Sequence, residues 1–425
     1  MRVLLVGGGG REHALAWKIA LSSRLTHLVA APGNPGIARH ARCVAVKDTM
    51  VDEMVALAAR ERIDLVVVGP EMPLSLGLSD RLREAGIAVF GCSQAAARLE
   101  SSKAYSKSLM ARYGIPTARF GTFEDASAAR RYCRELGVPL VVKADGLAAG
   151  KGAMICRTFE DADGAVRICL EEGAFGAAGR RIVIEEFMEG EEASCFVISD
   201  GTSVLPLMPA QDHKTIFDDD RGPMTGGMGA YSPVPAMDEA LSRRVMEEIA
   251  APVFAAMARE GAPYAGVLFV QIMITKDGPR VVEFNCRFGD PECQTILPLL
   301  DEDILPIFEA AAHGRGLPAS LRWRSGSSVC VVLASQGYPG PVRSGDEITG
   351  LDAEGGLPGG VNVFHAGTAR RDGRLVTAGG RVLGVQAHGA DLRSALAAAY
   401  AGVERVRFAG MQFRHDIGRR AVEPT

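Results

Sequence analysis

The stretch Val141-Val-Lys-Ala-Asp-Gly-Leu-Ala-Ala-Gly-Lys-Gly152 decides how this chain is read. It sets two lysines beside a glycine-rich loop. The spacing approaches the phosphate loop Gly-x-x-x-x-Gly-Lys-Ser/Thr, but Gly146 comes one position late and Gly152 replaces the hydroxyl residue. Such a loop must also lead from a strand into a helix. Here Ala153-Met-Ile-Cys156 reads as a second strand instead. The expectation is a β-hairpin, Pro139 to Ala144 and Ala153 to Cys156, whose loop folds over phosphates. Glycines such as Gly150 and Gly152 let backbone N–H groups approach phosphate oxygens. Lys143, inside the strand, could reach the α- and β-phosphates of a nucleotide, and Lys151 the transferred γ-phosphate.

A second stretch, Glu283-Phe-Asn-Cys-Arg-Phe-Gly-Asp-Pro-Glu292, supplies the complementary charge. Strand side chains alternate, so Glu283, Asn285 and Arg287 share one face while Val282, Phe284, Cys286 and Phe288 take the core face. Hard oxygen donors on one face suit Mg²⁺, which completes its shell with phosphate oxygens and water. The two stretches together predict an ATP site with a divalent metal.

Other segments are less specific. In Glu185-Glu-Phe-Met-Glu-Gly-Glu-Glu192, backbone groups from Glu185 through Phe187 to Met188 could pair with adenine, and Glu192 could hold the ribose hydroxyls; taken alone, the segment reads as an acidic loop. Gln211-Asp-His-Lys214 precedes Gly222-Pro-Met-Thr-Gly-Gly-Met-Gly229, whose glycines Gly226, Gly227 and Gly229 could offer N–H groups to an anion. His213 is a candidate base, although a lone histidine is more often structural. The N-terminal Gly7-Gly-Gly-Gly-Arg-Glu-His13 lacks the third glycine of a dinucleotide fingerprint, and the second strand ends in Ala30-Ala31 with no acid for a ribose. A nicotinamide cofactor is disfavoured; a phosphate at the N-terminus of the helix beginning near Arg11 is not.

Strand and helix alternate through the first hundred residues: strands at Arg2–Val6, Leu28–Ala31, Asp64–Val68 and Ala88–Phe90, and helices at Arg11–Leu21, Val51–Arg62 and Ser75–Ala85. That predicts a parallel sheet covered on both faces. Farther on, helices are expected at Lys103–Tyr113, Ser127–Leu136, Asp161–Glu171 and Asp238–Arg259, the last bent at Pro252. A strand is expected at Arg181–Glu186, and a hairpin at Gly266–Thr275 and Arg280–Cys286. After Trp323 the chain is glycine- and strand-rich, with strands at Ser327–Ala334, Val361–Phe364 and Arg381–Ala387 and a helix at Leu392–Val403. The fold class is α/β: an N-terminal parallel-sheet domain at 1–102, a two-lobed α+β core at 103–325 with its small lobe at about 119–190, and a small mostly-β domain at 326–425.

The net charge of −4 gives no basic field for nucleic acid, and no apolar run is long enough to span a membrane. Nine scattered cysteines without a Cys-x-x-Cys indicate free thiols in a reducing cytoplasm. Only 8 lysines stand against 39 arginines, so Lys103, Lys143, Lys151 and Lys214 mark places where a compact ammonium is wanted.

In this order the segments resemble the glycinamide ribonucleotide synthetases of the ATP-grasp superfamily. The resemblance rests on Gly9–Ala14, Ala31–Asn34, Val68–Glu71, Lys143–Gly152, Gln211–Lys214, Thr225–Pro233 and Glu283–Glu292, and covers nearly the whole chain. It implies a Rossmann-like N-terminal domain that binds phosphoribosylamine, an ATP-grasp core and a C-terminal mostly-β domain. It also implies ATP-dependent joining of glycine to 5-phosphoribosylamine through a glycyl phosphate, in purine synthesis. Glu283 and Asn285 would hold Mg²⁺ or Mn²⁺, Lys103 would join Lys143 on the phosphates, and Lys151, Asp212, Lys214 and Arg287 would serve catalysis. Arg287 is expected on the glycine carboxylate. Gly9, Gly10, Asn34, Glu71 and Asp290, with the glycines at 226, 227 and 229, are expected on the substrates. The implied partners are small molecules and the place cytoplasmic, with a monomer among the states the resemblance allows. The chain departs from the family pattern at Phe269-Val-Gln271, where a small Tyr-Ala-Gly stretch is expected, at Thr215, where arginine is common, and at Met224, where asparagine is usual. The alternatives are another ATP-grasp ligase or carboxylase, and a non-catalytic nucleotide-binding relative.

Overall fold

The computed structural model describes residues 1–147 and 152–423. The N-terminal strands form one parallel sheet in the order Arg42–Cys43, His27–Pro32, Arg2–Gly7, Leu65–Val68, Ala88–Phe90. The order reverses beside Arg2–Gly7, and the crevice at the carboxyl ends of such neighbouring strands is where α/β sheets take ligands. Arg11 and Glu71 both leave from that crevice. Helix Gly10–Ala20 starts cleanly because the Glu12 carboxylate accepts the Gly9 N–H at 2.7 Å. The helix expected over Ser75–Ala85 is broken: Glu71–Ser75 and Leu78–Glu84 meet at Gly77, whose φ of +84° ends helical geometry. The edge strand Arg42–Cys43 has too few residues to leave a pattern in sequence.

The small lobe is an antiparallel sheet ordered Phe120–Phe123, Ile182–Glu186, Leu140–Ala144, Ala153–Cys156. Helices Ala126–Leu136 and Phe159–Val166, capped by Asp125 and Thr158, bury Ala129, Cys133 and Ala162 against Val142 and Ile184. The alternate face carries Val141, Lys143, Ile155 and Glu185 into a cleft. The predicted helix Asp161–Glu171 becomes a π turn over its last five residues, Arg167–Glu171.

The large lobe is a sheet ordered Val204–Pro206, Glu191–Asp200, Ala265–Thr275, Gly278–Asn285. The strand Glu191–Asp200 replaces the acidic loop read from sequence. It is buried over Ala193–Asp200, so the alternation that announces a half-exposed strand is absent. Helix Ile304–His313 fixes this sheet to the N-terminal domain, with Phe308 stacked on Phe90 at 4.0 Å between ring centroids. The segment 239–259 is helical throughout, with a π turn at Val245–Ala250 just before Pro252, where the missing N–H breaks the regular ladder.

The last sheet runs Gln211–Asp212, Gly229–Ser232, Ser327–Ala334, Arg381–Gly389, Val361–His365. Helix Leu392–Val403 covers it through Ala395, Ala399 and Val403. Two of its strands come from before residue 325, so the middle of the chain and its C-terminal part share a sheet. Among the described residues no helix is long and apolar enough to cross a membrane.

Candidate active site

A cleft of about 480 Å³ lies where the lobes, the N-terminal crevice and the C-terminal sheet converge. Lys103, Lys107, Lys143, Glu185, Phe187, Glu192, Asp212, Lys214, Gln271, Glu283, Asn285 and Arg287 all line it. Gly150 and Lys151, given phosphate roles above, lie outside the described residues.

The helix Lys103–Tyr113 starts at Ser102, whose hydroxyl caps the Tyr105 N–H. Asp145 receives the Ser102 hydroxyl at 3.0 Å and the Ala104 N–H at 3.1 Å, so the strand leading into the glycine loop is tied to this helix start. Lys103 Nζ donates to the Gly146 carbonyl at 3.3 Å. One turn later, Lys107 Nζ lies 2.9 Å from Glu185 Oε2 and donates to Thr117 Oγ1 at 2.7 Å. Lys143 Nζ donates to the same Glu185 oxygen at 3.0 Å and to the Val282 carbonyl at 3.2 Å. Two ammonium groups thus share one carboxylate oxygen, and Glu185 Oε1, also buried, has no partner among the described residues. Burial pulls the Lys107 ammonium down to about 8, against the opposing pull of Glu185. Sequence reading missed Lys107; its signal was the four-residue spacing from Lys103, which puts both on one helix face.

On the facing strand, burial would raise the Glu283 carboxyl, but Lys103, Lys214, Lys143 and Arg287 outweigh it and hold it down at about 2. Asn285, two residues on, is buried and accepts from Arg287 Nη2 at 3.1 Å. An ionised carboxylate and an amide oxygen on one strand face are the hard donors a divalent ion takes when phosphate and water complete its shell. The donor set fits such an ion. Among the described residues no group of three His, Cys, Asp or Glu side chains is arranged to hold a metal.

Arg287 lies between the two halves of the cleft, with Nε 3.4 Å from Glu71 Oε2 and Nη2 3.3 Å from Glu100 Oε1. The Nε–H is buried and makes no hydrogen bond among the described residues. Glu100 is pushed up to about 7 by burial, with Arg287 opposing and Glu71 adding to the rise. Asp212 is likewise pushed up to about 7 by burial, with Lys214 opposing and Glu292 and Glu192 adding. Lys214 pairs with Glu192 at 3.1 Å. Glu292 accepts from Ser194 Oγ at 3.1 Å.

His213 does not face the cleft: the residues on either side of it do. Its Nε2 accepts the Gly418 N–H at 3.2 Å, and burial pulls the ring down to about 3. The histidine therefore serves packing and not base chemistry. Asn34 is placed away from the cleft lining too, with its amide engaged throughout. Its Nδ2 donates to the carbonyls of Gly8 at 2.9 Å and His365 at 2.7 Å, and its Oδ1 accepts from Gly36 and Ile37, each at 2.9 Å. The Gly9 N–H is held by Glu12, and a side chain at Gly10 would collide with Gln294 Nε2 at 2.6 Å. Gly229 is packed against Ile417 and the Cys330 carbonyl, and Gly227 against Pro291, so both are demanded by close approach. Gly226 and Asp290 do line the cleft. Arg381 joins them, donating to the carbonyls of Gly226 at 2.8 Å and of Asp290, while the Tyr338 hydroxyl accepts the Gly226 N–H at 2.9 Å.

The departures found in sequence have structural partners. Thr215 Oγ1 accepts from Arg414 Nη1 at 2.8 Å, so a guanidinium reaches this place from the C-terminal segment. Gln271 lies opposite Glu283 in register and donates to Glu192. Met224 lines the cleft beside Thr225.

A nucleotide cleft between two antiparallel lobes, with lysines on one wall and Glu283 and Asn285 on the other, defines an ATP-grasp enzyme. Comparison with known proteins narrows the class. Residues 1–100, 101–293 and 328–420 match the N, ATP-grasp (A) and C domains of phosphoribosylglycinamide synthetase. The chain belongs to the phosphoribosylglycinamide synthetase family, the ATP-dependent carbon–nitrogen ligases of purine biosynthesis. A relative from Mesorhizobium japonicum named phosphoribosylamine–glycine ligase is 51% identical over 422 residues, covering 99% of both chains. The crystal structure of phosphoribosylamine–glycine ligase from Thermotoga maritima is 33% identical with a TM-score of 0.86, covering 98% of this chain and 100% of that one. A biotin carboxylase from Campylobacter jejuni shares the fold, with a TM-score of 0.76 at 18% identity over 97% of this chain and 93% of its own.

Proposed function

We propose that the cleft joins glycine to 5-phosphoribosylamine with ATP hydrolysed to ADP and phosphate, and that its residues divide the work as follows. The single observation carrying the residue assignment is Glu283, held ionised by three lysines and Arg287 beside Asn285 on the same strand face. Glycine carboxylate is a poor electrophile. One of its oxygens attacks the γ-phosphorus of ATP, the bond to the bridging oxygen breaks, and ADP leaves. The amine of phosphoribosylamine then attacks the carbonyl carbon of glycyl phosphate, inorganic phosphate leaves, and the amine loses a proton. The transferring group is dense in negative charge, so catalysis is mainly positioning and electrostatic stabilisation.

Lys103 and Lys143 take the phosphates of ATP, and Lys151 the γ-phosphate. The unpartnered Glu185 Oε1 supports a contact to the adenine amino group, with the backbone around Phe187 on the base. Glu192 takes the ribose hydroxyls. Glu283 and Asn285 would hold Mg²⁺ or Mn²⁺, which supplies charge neutralisation at the phosphates. The Arg287 guanidinium, lining the cleft beside Asn285, supports its role on the glycine carboxylate. Glu71, Asp290 and Gly226 take the phosphoribosyl amine end, and Asp212, near 7, is poised to accept a proton with Lys214 beside it. We assign residues 1–102 to phosphoribosylamine, 103–325 to ATP and 326–425 to closing the site. The nine free cysteines support a reducing cytoplasmic setting. The cleft is built within one chain, which supports a functional monomer.

The test is ADP release dependent on both glycine and phosphoribosylamine. Release driven by bicarbonate would point to a carboxylase, and nucleotide binding without turnover to a non-catalytic relative. Arg287→Ala should raise the KM for glycine at least tenfold; an unchanged value refutes that assignment.

A further inference from the structure

Gln271 is the departure from the family pattern that lies deepest in the cleft. Its residue is 1% exposed, yet it lines the cavity. In the strand Ala265–Thr275 it pairs with Ser194 on one side and Glu283 on the other. Glu192 lies two residues before Ser194 on the same face, the diagonal distance a long side chain spans. Gln271 Nε2 donates to Glu192 Oε2 at 2.5 Å. The orientation of that amide is forced. The same carboxylate oxygen receives Lys214 Nζ at 3.1 Å and can only accept, so the amide nitrogen must face it.

The backbone of Glu192 is fixed independently. It is paired with Met273 in the sheet, and its carbonyl accepts Gln211 Nε2 at 2.5 Å. What remains free is the rotation of the carboxylate. Lys214 is a rotatable point charge and sets distance more than direction. The directed N–H of a buried amide sets direction, and it does so without adding charge between Glu283 and Glu192. With Oε2 engaged by both donors, Oε1 is the oxygen left to accept hydroxyl groups.

We propose that Gln271 is a specificity-determining positioning residue, which fixes Glu192 so that the site distinguishes ribonucleotides from 2′-deoxyribonucleotides. The inference rests on the ribose role given to Glu192 above.

The experiment compares kcat/KM for ATP and 2′-deoxy-ATP in the full chain, in Gln271→Leu, Gln271→Ala, Glu192→Ala and the Gln271→Leu/Glu192→Ala double variant. Mn²⁺ half-saturation and thermal midpoints are measured alongside. The expected result is a preference for ATP that falls about five- to tenfold in either Gln271 variant, the size of one ordinary net hydrogen bond. In the double variant the loss should not exceed that of Glu192→Ala alone. If Glu192→Ala leaves the preference intact, the ribose role of Glu192 fails, and the inference with it. If Glu192→Ala lowers the preference but neither Gln271 variant does, the ribose role stands and the inference is overturned. A shifted Mn²⁺ half-saturation with an intact preference also overturns it, by moving Gln271 to the ion.

Discussion

The cleft wall around Lys143 and the N-terminal glycine loops, both read from sequence as ligand sites, differ in how their polar groups are paired. On the cleft walls polar groups are left over: Glu185 Oε1 and Arg287 Nε are buried without hydrogen-bond partners among the described residues. Among the described residues Lys103 makes one hydrogen bond, at 3.3 Å. Around Gly7–Gly10 and Pro32–Gly36 polar groups are paired with one another, although Gln294 Oε1 beside Gly10 is not. Asn34 alone satisfies backbone groups of Gly8, Gly36, Ile37 and His365, and His13 Nδ1 accepts the His365 N–H at 2.7 Å. A buried polar group without a partner costs stability, so one that lines the cleft is available to a ligand. A loop whose polar groups are paired within the protein marks a joint. The N-terminal loops join the first domain to the C-terminal sheet, and from that domain Arg11, Glu71, Leu99 and Glu100 line the cleft.

The largest test of this contrast is Glu283→Gln. The variant removes the charge that four cations surround, and kcat/KM should fall about 10³-fold, the scale of losing one preorganised charge, with a lowered thermal midpoint because the cations lose the carboxylate they hold ionised. A near-normal rate in the ADP-release assay would break the assignment. Next come two lysines one helical turn apart. Lys107→Met should lower stability by about 3 kcal/mol in urea unfolding, because it removes one partner of a buried ion pair. Lys103→Met should leave stability within about 0.5 kcal/mol, as expected for a side chain with one weak contact, and raise the KM for ATP. Equal stability losses would erase the distinction between them.

Asn34→Ala should cost about 2 kcal/mol, since it strands several buried backbone groups, while leaving the KM for phosphoribosylamine unchanged in the folded protein. A raised KM with normal stability would return Asn34 to the substrate. The last effect concerns His213 and appears only as the pH falls. It is neutral in the folded chain because burial holds it at about 3, whereas the unfolded chain takes up its proton near the ordinary histidine value. Unfolding therefore gains a proton as the pH falls below about 6.5, and stability is lost in that direction. His213→Gln should cancel about 1.4 kcal/mol of that loss per pH unit between pH 6 and 4, read as converging urea midpoints for variant and parent.

Much of this was legible in the chain. The parallel N-terminal sheet followed from alternating apolar strands and amphipathic helices, and the hairpin at Leu140–Ala144 and Ala153–Cys156 from a loop that could not lead into a helix. Glu283 and Asn285 could be placed on one face because strand alternation is local. Strand Glu191–Asp200 was hidden because burial on both faces erases alternation. Lys107 was hidden because nothing in its neighbourhood announces Glu185, 78 positions later, as its partner.

Local patterning thus determined which elements exist and which chemistry the chain carries, since both depend on residues within a few positions of each other. Only the tertiary structure decided which polar atoms are left unbonded, that His213 turns away while Asp212 and Lys214 face inward, and that Gln271 holds Glu192. Those outcomes depend on contacts between residues far apart in sequence. Hydrogen-bond saturation is settled only when distant segments pack, and it separates a joint from a binding site.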